Sequence, residues 1–301
     1  MSTLSCYQSV KRTENSTNPD KSFIRPVVSP LYMDVAFTGD RSGSMCSTHG
    51  GSQTGAREYI KKQVEASETL KPRLGFYIDF TTFDDEIEQP FSGSASEVNE
   101  DVLNALAIAM EPRGCTRLYD AITDSVKRQM TRLEKKFTEL APEVQDLVRD
   151  QPWLFGAACT PMTDGHDNAS GPGARSESRR AMMNFVHSYS ATGMVLAANR
   201  DASELAGELG LDLEAALQMG NSREECCAAM NSAASAQLRS ATSGGVPPPP
   251  TAGRYFTQLE RESSCSNTQT RQPRQNLRSS AANTNMFVPP PPRALALSLR
   301  C

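Results

Sequence analysis

A chain of 301 residues with 38% hydrophobic and 22% charged residues can build a core of domain size and is not disordered by composition. Its net charge of −4 is unevenly spread: seven arginines and two glutamates give residues 243–301 a charge of +5, which leaves −9 on residues 1–242. An acidic body excludes a binder of nucleic-acid backbones, and the lack of any apolar run of about 18 residues excludes a membrane-spanning helix.

Residues 1–29 are polar, rich in Ser, Thr, Asn and Lys, and are expected to be flexible. They contain no apolar stretch of the secretory kind, so a cytoplasmic location is expected. The eight cysteines form no CxxC pair, which fits reduced thiols better than a disulfide framework. His49, His166 and His187 lack the companions of a zinc site.

From Leu31 the pattern changes. Residues 32–38 read as a short strand ending at Gly39-Asp40, followed by a Ser- and Gly-rich loop over 41–53. Ala56, Ile60, Val64 and Leu70 are spaced for a helix over 54–70. Residues 74–80 form a β-rich run, and 87–91 pair with it as an antiparallel edge after Asp84-Asp85-Glu86, read as a solvated turn. A helix over 102–110 follows, then a long one with Leu118, Ile122, Val126, Leu133 and Phe137 in one apolar stripe. Residues 153–163 read as a buried strand, 175–190 as a helix and 193–198 as a short strand. Helices over 201–209 and 222–238 flank a strand near 215–219. Such alternation predicts an α/β fold with a mostly parallel central sheet, one antiparallel edge strand and helices on both faces. The domain is expected over 30–241. Residues 242–301, with two Val-Pro-Pro-Pro-Pro runs in polar filler, are expected to be a disordered tail, its prolines serving as spacers or as ligands of a proline-reading domain.

Ligands of open α/β sheets bind at the carboxyl ends of the strands. There the sequence places Asp40-Arg41-Ser42-Gly43-Ser44 after the first strand, Thr163-Asp164-Gly165 after the strand from 153, and Gly114-Cys115-Thr116 before the long helix. Three hydroxyls and two carboxylates converge, all hard oxygen donors. Few carboxylates and many neutral oxygens suit Mg²⁺, or Mn²⁺, rather than zinc.

Asp40-x-Ser42-x-Ser44, Thr116 in Gly-x-Thr-x-Leu-Tyr-Asp-Ala, and Asp164 in Thr-Asp-Gly resemble the metal-ion-dependent adhesion site of von Willebrand factor A domains. The strings Asp-Arg-Ser-Gly-Ser-Met and Leu-Tyr-Asp-Ala-Ile resemble the same family, over residues 31–238. The resemblance implies a Rossmann-like fold and a metal held by the hydroxyls of Ser42, Ser44 and Thr116. Asp40 and Asp164 would act largely through water and hydrogen bonds, leaving one position for a carboxylate from a partner protein. Arg41, Arg113 and Arg117 are placed to steady such an anion. Two positions depart from the family: Gly39 stands where an apolar residue is usual, and Cys115 replaces a glycine before the threonine.

The sequence thus points to a divalent-cation-dependent protein-binding module of adhesion or scaffold type, without enzyme activity. One alternative is a scaffold that recruits partners through its polyproline tail without metal. Another is a phosphatase using Asp40, which lacks the second acid two residues on, where Ser42 stands. His166 is read as a solvent-facing loop residue, Asp120 and Asp124 as exposed on one helix face, and Asn199-Arg200-Asp201 as a helix cap.

Overall fold

The computed structural model describes residues 29–243 and 255–266. A seven-stranded sheet lies at the centre, in the order β3-β2-β1-β4-β6-β7, with the two-residue β5 also paired to β4. The strands are β1 Tyr32–Asp40, β2 Phe76–Phe83, β3 Ile87–Ser94, β4 Phe155–Thr163, β5 Thr192–Gly193, β6 Val195–Ala197 and β7 Ala216–Gln218. Among the described residues only β2–β3 is antiparallel, and every other pairing is parallel. The helices are α1 Gly51–Leu70, α2 Glu100–Ala109, α3 Leu118–Thr138, α4 Pro142–Asp150, α5 Ala174–Ser188, α6 Ala202–Leu209, α7 Arg223–Thr242 and α8 Gln258–Ser264. The α/β architecture with one antiparallel edge is the one expected from the alternation of elements.

The reason β1 is buried along its whole length is visible in its alternation. Met33, Val35 and Phe37 join the core made with α1, α2 and α7, whereas Tyr32 and Ala36 join the core made with α3, α5 and α6. A strand covered on both faces needs two apolar faces, and each large side chain so buried contributes about 1.5–3 kcal/mol. Asp34 breaks the pattern on the α3 side. It is fully buried, accepts from Gln129 Nε2 at 2.9 Å, and pairs with Arg132 at 3.1 Å. The same guanidinium reaches Asp79 of β2, also fully buried, at 2.5 Å. Two carboxylates on neighbouring strands thus share one arginine from the helix above them.

Two features differ from expectation. Helix α4 follows α3 after a three-residue break, with proline in its first turn. Its short apolar set, of which only Val148 is fully covered, carries little periodic signal. More consequentially, part of the stretch expected to be a disordered tail is an ordered element. Phe256 is 1% exposed against the α1/α7 core. Thr257 and Glu260 form a reciprocal capping box that starts α8. Arg239 of α7 holds Glu260 through its two terminal guanidinium nitrogens, Nη1 and Nη2, at 2.8 and 2.9 Å. Arg261 donates to the Ala216 and Glu214 carbonyls, at 2.8 and 2.9 Å, blunting the sheet edge at β7. Ser264 O accepts from Gly220 N, and Glu225 accepts from the Ser266 amide at 2.7 Å. Both polyproline runs and residues 1–28 lie outside the described residues. Among the described residues no helix is long and apolar enough to cross a membrane.

Candidate metal-ion site

β1 lies between β2 and β4, so the chain reverses its direction of winding beside it, and the crevice opens at the carboxyl ends of β1 and β4. Gly39 is in register with Met162, which puts Asp40 and Thr163 side by side where the strands end. Thr163 Oγ1 donates to Asp40 Oδ2 at 2.5 Å, and Ser42 N donates to Asp40 Oδ1 at 2.7 Å. With both oxygens engaged and no exposure, Asp40 organises the turn after β1. That turn runs into a single 3₁₀ segment, Gly43–Thr48, before α1.

The turn brings Ser42 Oγ within 3.1 Å of Ser44 Oγ, and Ser44 Oγ donates to Asp164 Oδ1 at 2.7 Å. The other oxygen of that carboxylate, Asp164 Oδ2, is buried without a hydrogen-bond partner. Ser42 is buried and Ser44 exposed, so the group opens to solvent on the Ser44 side. The loop bearing Thr116 is stitched alongside: Gly43 N donates to Gly114 O at 3.1 Å and Arg113 N to Arg41 O at 2.6 Å. Thr116 is buried, its amide donating to Asn168 Oδ1 at 2.8 Å and its carbonyl accepting from Asn168 N and Ala169 N. The structure therefore gathers Asp40, Ser42, Ser44 and Asp164 into one hydrogen-bonded group and fixes the Thr116 loop against it.

Burial pushes the Asp40 carboxyl up to about 6, against hydrogen bonds from Thr163 and Ser42, and the charge of Asp164 pushes the same way. Burial also raises Asp164, opposed by the bond from Ser44 and, more weakly, by its own backbone amide and the nearby Asn199 and Ser47 side chains. Two desolvated carboxylates, one with an orphan oxygen, make a place where a cation is favoured. A buried acceptor left unpaired costs about 1–3 kcal/mol, more when charged. The donors are carboxylate and hydroxyl oxygens, a set that fits a hard divalent ion. Among the described residues no group of three His, Cys, Asp or Glu side chains suits a metal, so an ion here would draw on hydroxyls and water besides the two carboxylates.

The first of the two departures noted in the sequence has a local cause. A Cβ on Gly39 would lie 2.7 Å from Met110 Sδ and 2.8 Å from Phe37 Cε1, so the methionine occupies the space of the missing side chain. Next to Cys115, Gly114 takes φ +66°, and a Cβ there would meet Asp85 Oδ2 at 2.7 Å. Glycine is needed at 114, while Cys115 projects as an exposed thiol that the Asp85 carboxylate pushes up.

The arginines expected to steady an incoming anion are already committed. Arg41 is buried and pairs with Asp84 at 3.1 Å and Glu88 at 2.8 Å. Arg113 pairs with Asp84, Glu86 and Glu88, and Arg117 with Asp120. The turn expected to be solvated has its first residue, Asp84, buried among these cations. Asp120 is half-buried, accepting from Arg117 and Gly171 N, and Asp124 pairs with Arg128. His166 is exposed, and Asp201 caps α6 by accepting from Ser203 N and Glu204 N, as expected. Sequence reasoning missed Asn199: at φ +52° it donates to Ser47 Oγ and accepts from Asn221 Nδ2 at 2.7 Å, walling the crevice beside Asp164. The one signal in the sequence is an asparagine, a residue type that tolerates the left-handed backbone, placed directly after a strand.

No protein-family model and no curated protein matches the chain. Among solved structures it is similar to the pilus adhesin SpaC from Lactobacillus rhamnosus GG, with 12% identity, TM-score 0.48, and coverage of 70% of this chain and 31% of that one. It is also similar to proximal thread matrix protein 1 from the mussel byssus, in a structure with a zinc-occupied MIDAS motif: 16% identity, TM-score 0.44, 70% of this chain and 46% of that one. A third is a von Willebrand factor type A structure from Catenulispora acidiphila, with 14% identity, TM-score 0.41, 70% of this chain and 43% of that one. The chain spans less than half the length of each of these proteins.

Proposed function

We propose that residues 30–241 form a von Willebrand factor A-type module that binds one Mg²⁺ or Mn²⁺ and, through it, an acidic side chain of a partner protein. The observation that carries this reading is the buried, unpartnered Asp164 Oδ2, set in a hydrogen-bonded group with Ser44, Ser42 and Asp40 at the strand ends. Ser42, Ser44 and Thr116 would offer hydroxyls to the ion, with Asp40 and Asp164 supplying negative charge and orientation. A bound ion supplies Lewis acidity toward an incoming carboxylate, a hard anionic ligand able to displace water. Asp40 is fully buried with both oxygens bonded, which supports a binding role over that of a nucleophile. The free thiols of Cys46, Cys115, Cys159, Cys226 and Cys227 support a reducing, cytosolic setting.

Few charged ligands imply weak affinity, about 10⁻⁴–10⁻³ M. Calorimetric titration of Mn²⁺ into wild type and Asp40→Ala tests the ion, and equal heats would end the assignment. Co-precipitation by wild type and Thr116→Ala, each in Mg²⁺ and in EDTA, tests the bridge. The partner should be recovered only by wild type in Mg²⁺; equal recovery in all four samples would move the binding surface elsewhere.

A further inference from the structure

We infer that the turn joining β2 to β3, and Asp85 in particular, is the positioning element that sets the Thr116 loop for metal binding. The inference rests on the metal-site reading above and deepens it. Two main-chain amides of that loop are bonded to the turn, and a third amide bonds the end of β2 to the turn after β1. Cys115 N donates to Asp85 Oδ1 at 3.1 Å, Arg117 N donates to Asp84 O at 3.1 Å, and Arg41 N, on the other side, donates to Phe83 O at 2.9 Å. Side chains reinforce them. Asp84 Oδ2 accepts from Arg113 Nε at 2.5 Å and Arg41 Nε at 3.1 Å, and Arg117 Nη1 donates to Asp85 O at 3.2 Å. The turn itself is closed by Asp84 N to Glu86 O and by Glu86 N to Asp84 Oδ1.

The amides on either side of Thr116 are therefore anchored to the β2–β3 turn, while its own amide is anchored to Asn168 on the opposite side. Thr116 is held from two directions, by the β2–β3 turn on one side and by Asn168, in the loop that follows Asp164, on the other. The two acids divide the work. Asp84 is buried beneath two guanidiniums, so its loss would disturb the fold around β1. Asp85 is exposed and makes one main-chain contact of consequence, which allows the positioning role to be separated from folding. The tight fit at Gly114, whose absent Cβ makes room for the Asp85 carboxylate, shows that the loop and turn are shaped to each other.

Outer partners of metal ligands typically govern affinity by about 10–100-fold, and Asp85 acts one link further out, so the lower end, about tenfold, is expected. The test uses the full chain and Mn²⁺ alone as the probe. Affinity is measured for wild type, Asp85→Ala, Asp85→Asn and Asp40→Ala, together with amide exchange at Cys115 and Thr116 and the melting temperature in EDTA. Asparagine keeps the acceptor for Cys115 N and alanine removes it. Asp85→Ala should bind about tenfold more weakly, exchange these amides faster and melt as wild type does in EDTA, while Asp85→Asn stays near wild type on all three. Wild-type affinity in Asp85→Ala, with binding lost in Asp40→Ala, would overturn the positioning role and leave the metal site standing. Equal weakening in Asp85→Asn and Asp85→Ala would overturn it as well, by showing that charge and not the hydrogen bond acts. Unchanged binding in Asp40→Ala would overturn the site reading, and this inference with it.

Discussion

Gly39→Ala probes how tightly Met110 and Phe37 pack beneath the site. The added methyl would sit 2.7 Å from Met110 Sδ and 2.8 Å from Phe37 Cε1, well inside contact distance. Neither neighbour can yield easily. Met110 is wholly buried, and the Phe37 ring lies between Tyr59 and Phe80 at centroid distances of 4.9 and 5.3 Å. Overpacking of this kind costs about 1–3 kcal/mol, and a value near 2 kcal/mol would lower the melting temperature by roughly 4–8 °C in a domain of this size. Met110→Ala alone opens a cavity and costs about 2–5 kcal/mol. The double variant places the methyl added at position 39 into that cavity, so its cost should fall short of the sum by about 1–2 kcal/mol. Urea unfolding followed by the emission of Trp153, the single tryptophan, gives all three values. A Gly39→Ala variant within about 0.5 kcal/mol of wild type, or strict additivity with Met110→Ala, would refute the argument that methionine fills the place of the missing side chain.

Phe256→Ala should remove about 3–5 kcal/mol from the docking of α8, seen as lost amide protection over residues 258–264; retained protection would mean that the ring is not the anchor. Burial pushes Glu225 up, but the bonds from Ser266 and Ser222 prevail and hold it at about 2, below its ordinary 4.5. Its contribution is then present above pH 4.5 and lost as pH falls toward 2, so α8 should loosen across that window in wild type but not in Glu225→Gln, by amide exchange or proteolysis. Arg132→Met leaves Asp34 and Asp79 buried without their shared cation and should cost about 3–5 kcal/mol in urea unfolding; a loss below about 1 kcal/mol would show that the pair is solvated in solution.

The helical stripe of α3 and the double-faced β1 were legible because burial repeats with the period of the element, and Leu118, Ile122, Val126, Leu133 and Phe137 are all buried as read. The hydroxyl–carboxylate group was legible because its members follow strand ends, where topology brings them together. The arginine pairings were not. Arg41 meets partners 43 and 47 residues away, and only the β2–β3 register decides that these charges neutralise each other rather than await a ligand. Helix α8 was hidden for a different reason. It is seven residues long in polar surroundings, and the useful signs were Phe256 and the Thr257–Glu260 capping pair. Composition averages such signs away, whereas docking depends on one ring and a few directed bonds.

The shared guanidinium between Asp34 and Asp79 has a consequence for how this sequence can change over time. Losing Arg132 leaves Asp34 without a cation and Asp79 with only the more distant Arg128, at 3.9 Å, and losing either aspartate leaves the arginine half-neutralised under a helix. Each first step away from the arrangement is costly, although an apolar replacement of all three could be as stable as the original. The three positions therefore form one heritable unit, held by the depth of the valley around it, and in descendants of this chain they should be kept together or exchanged together.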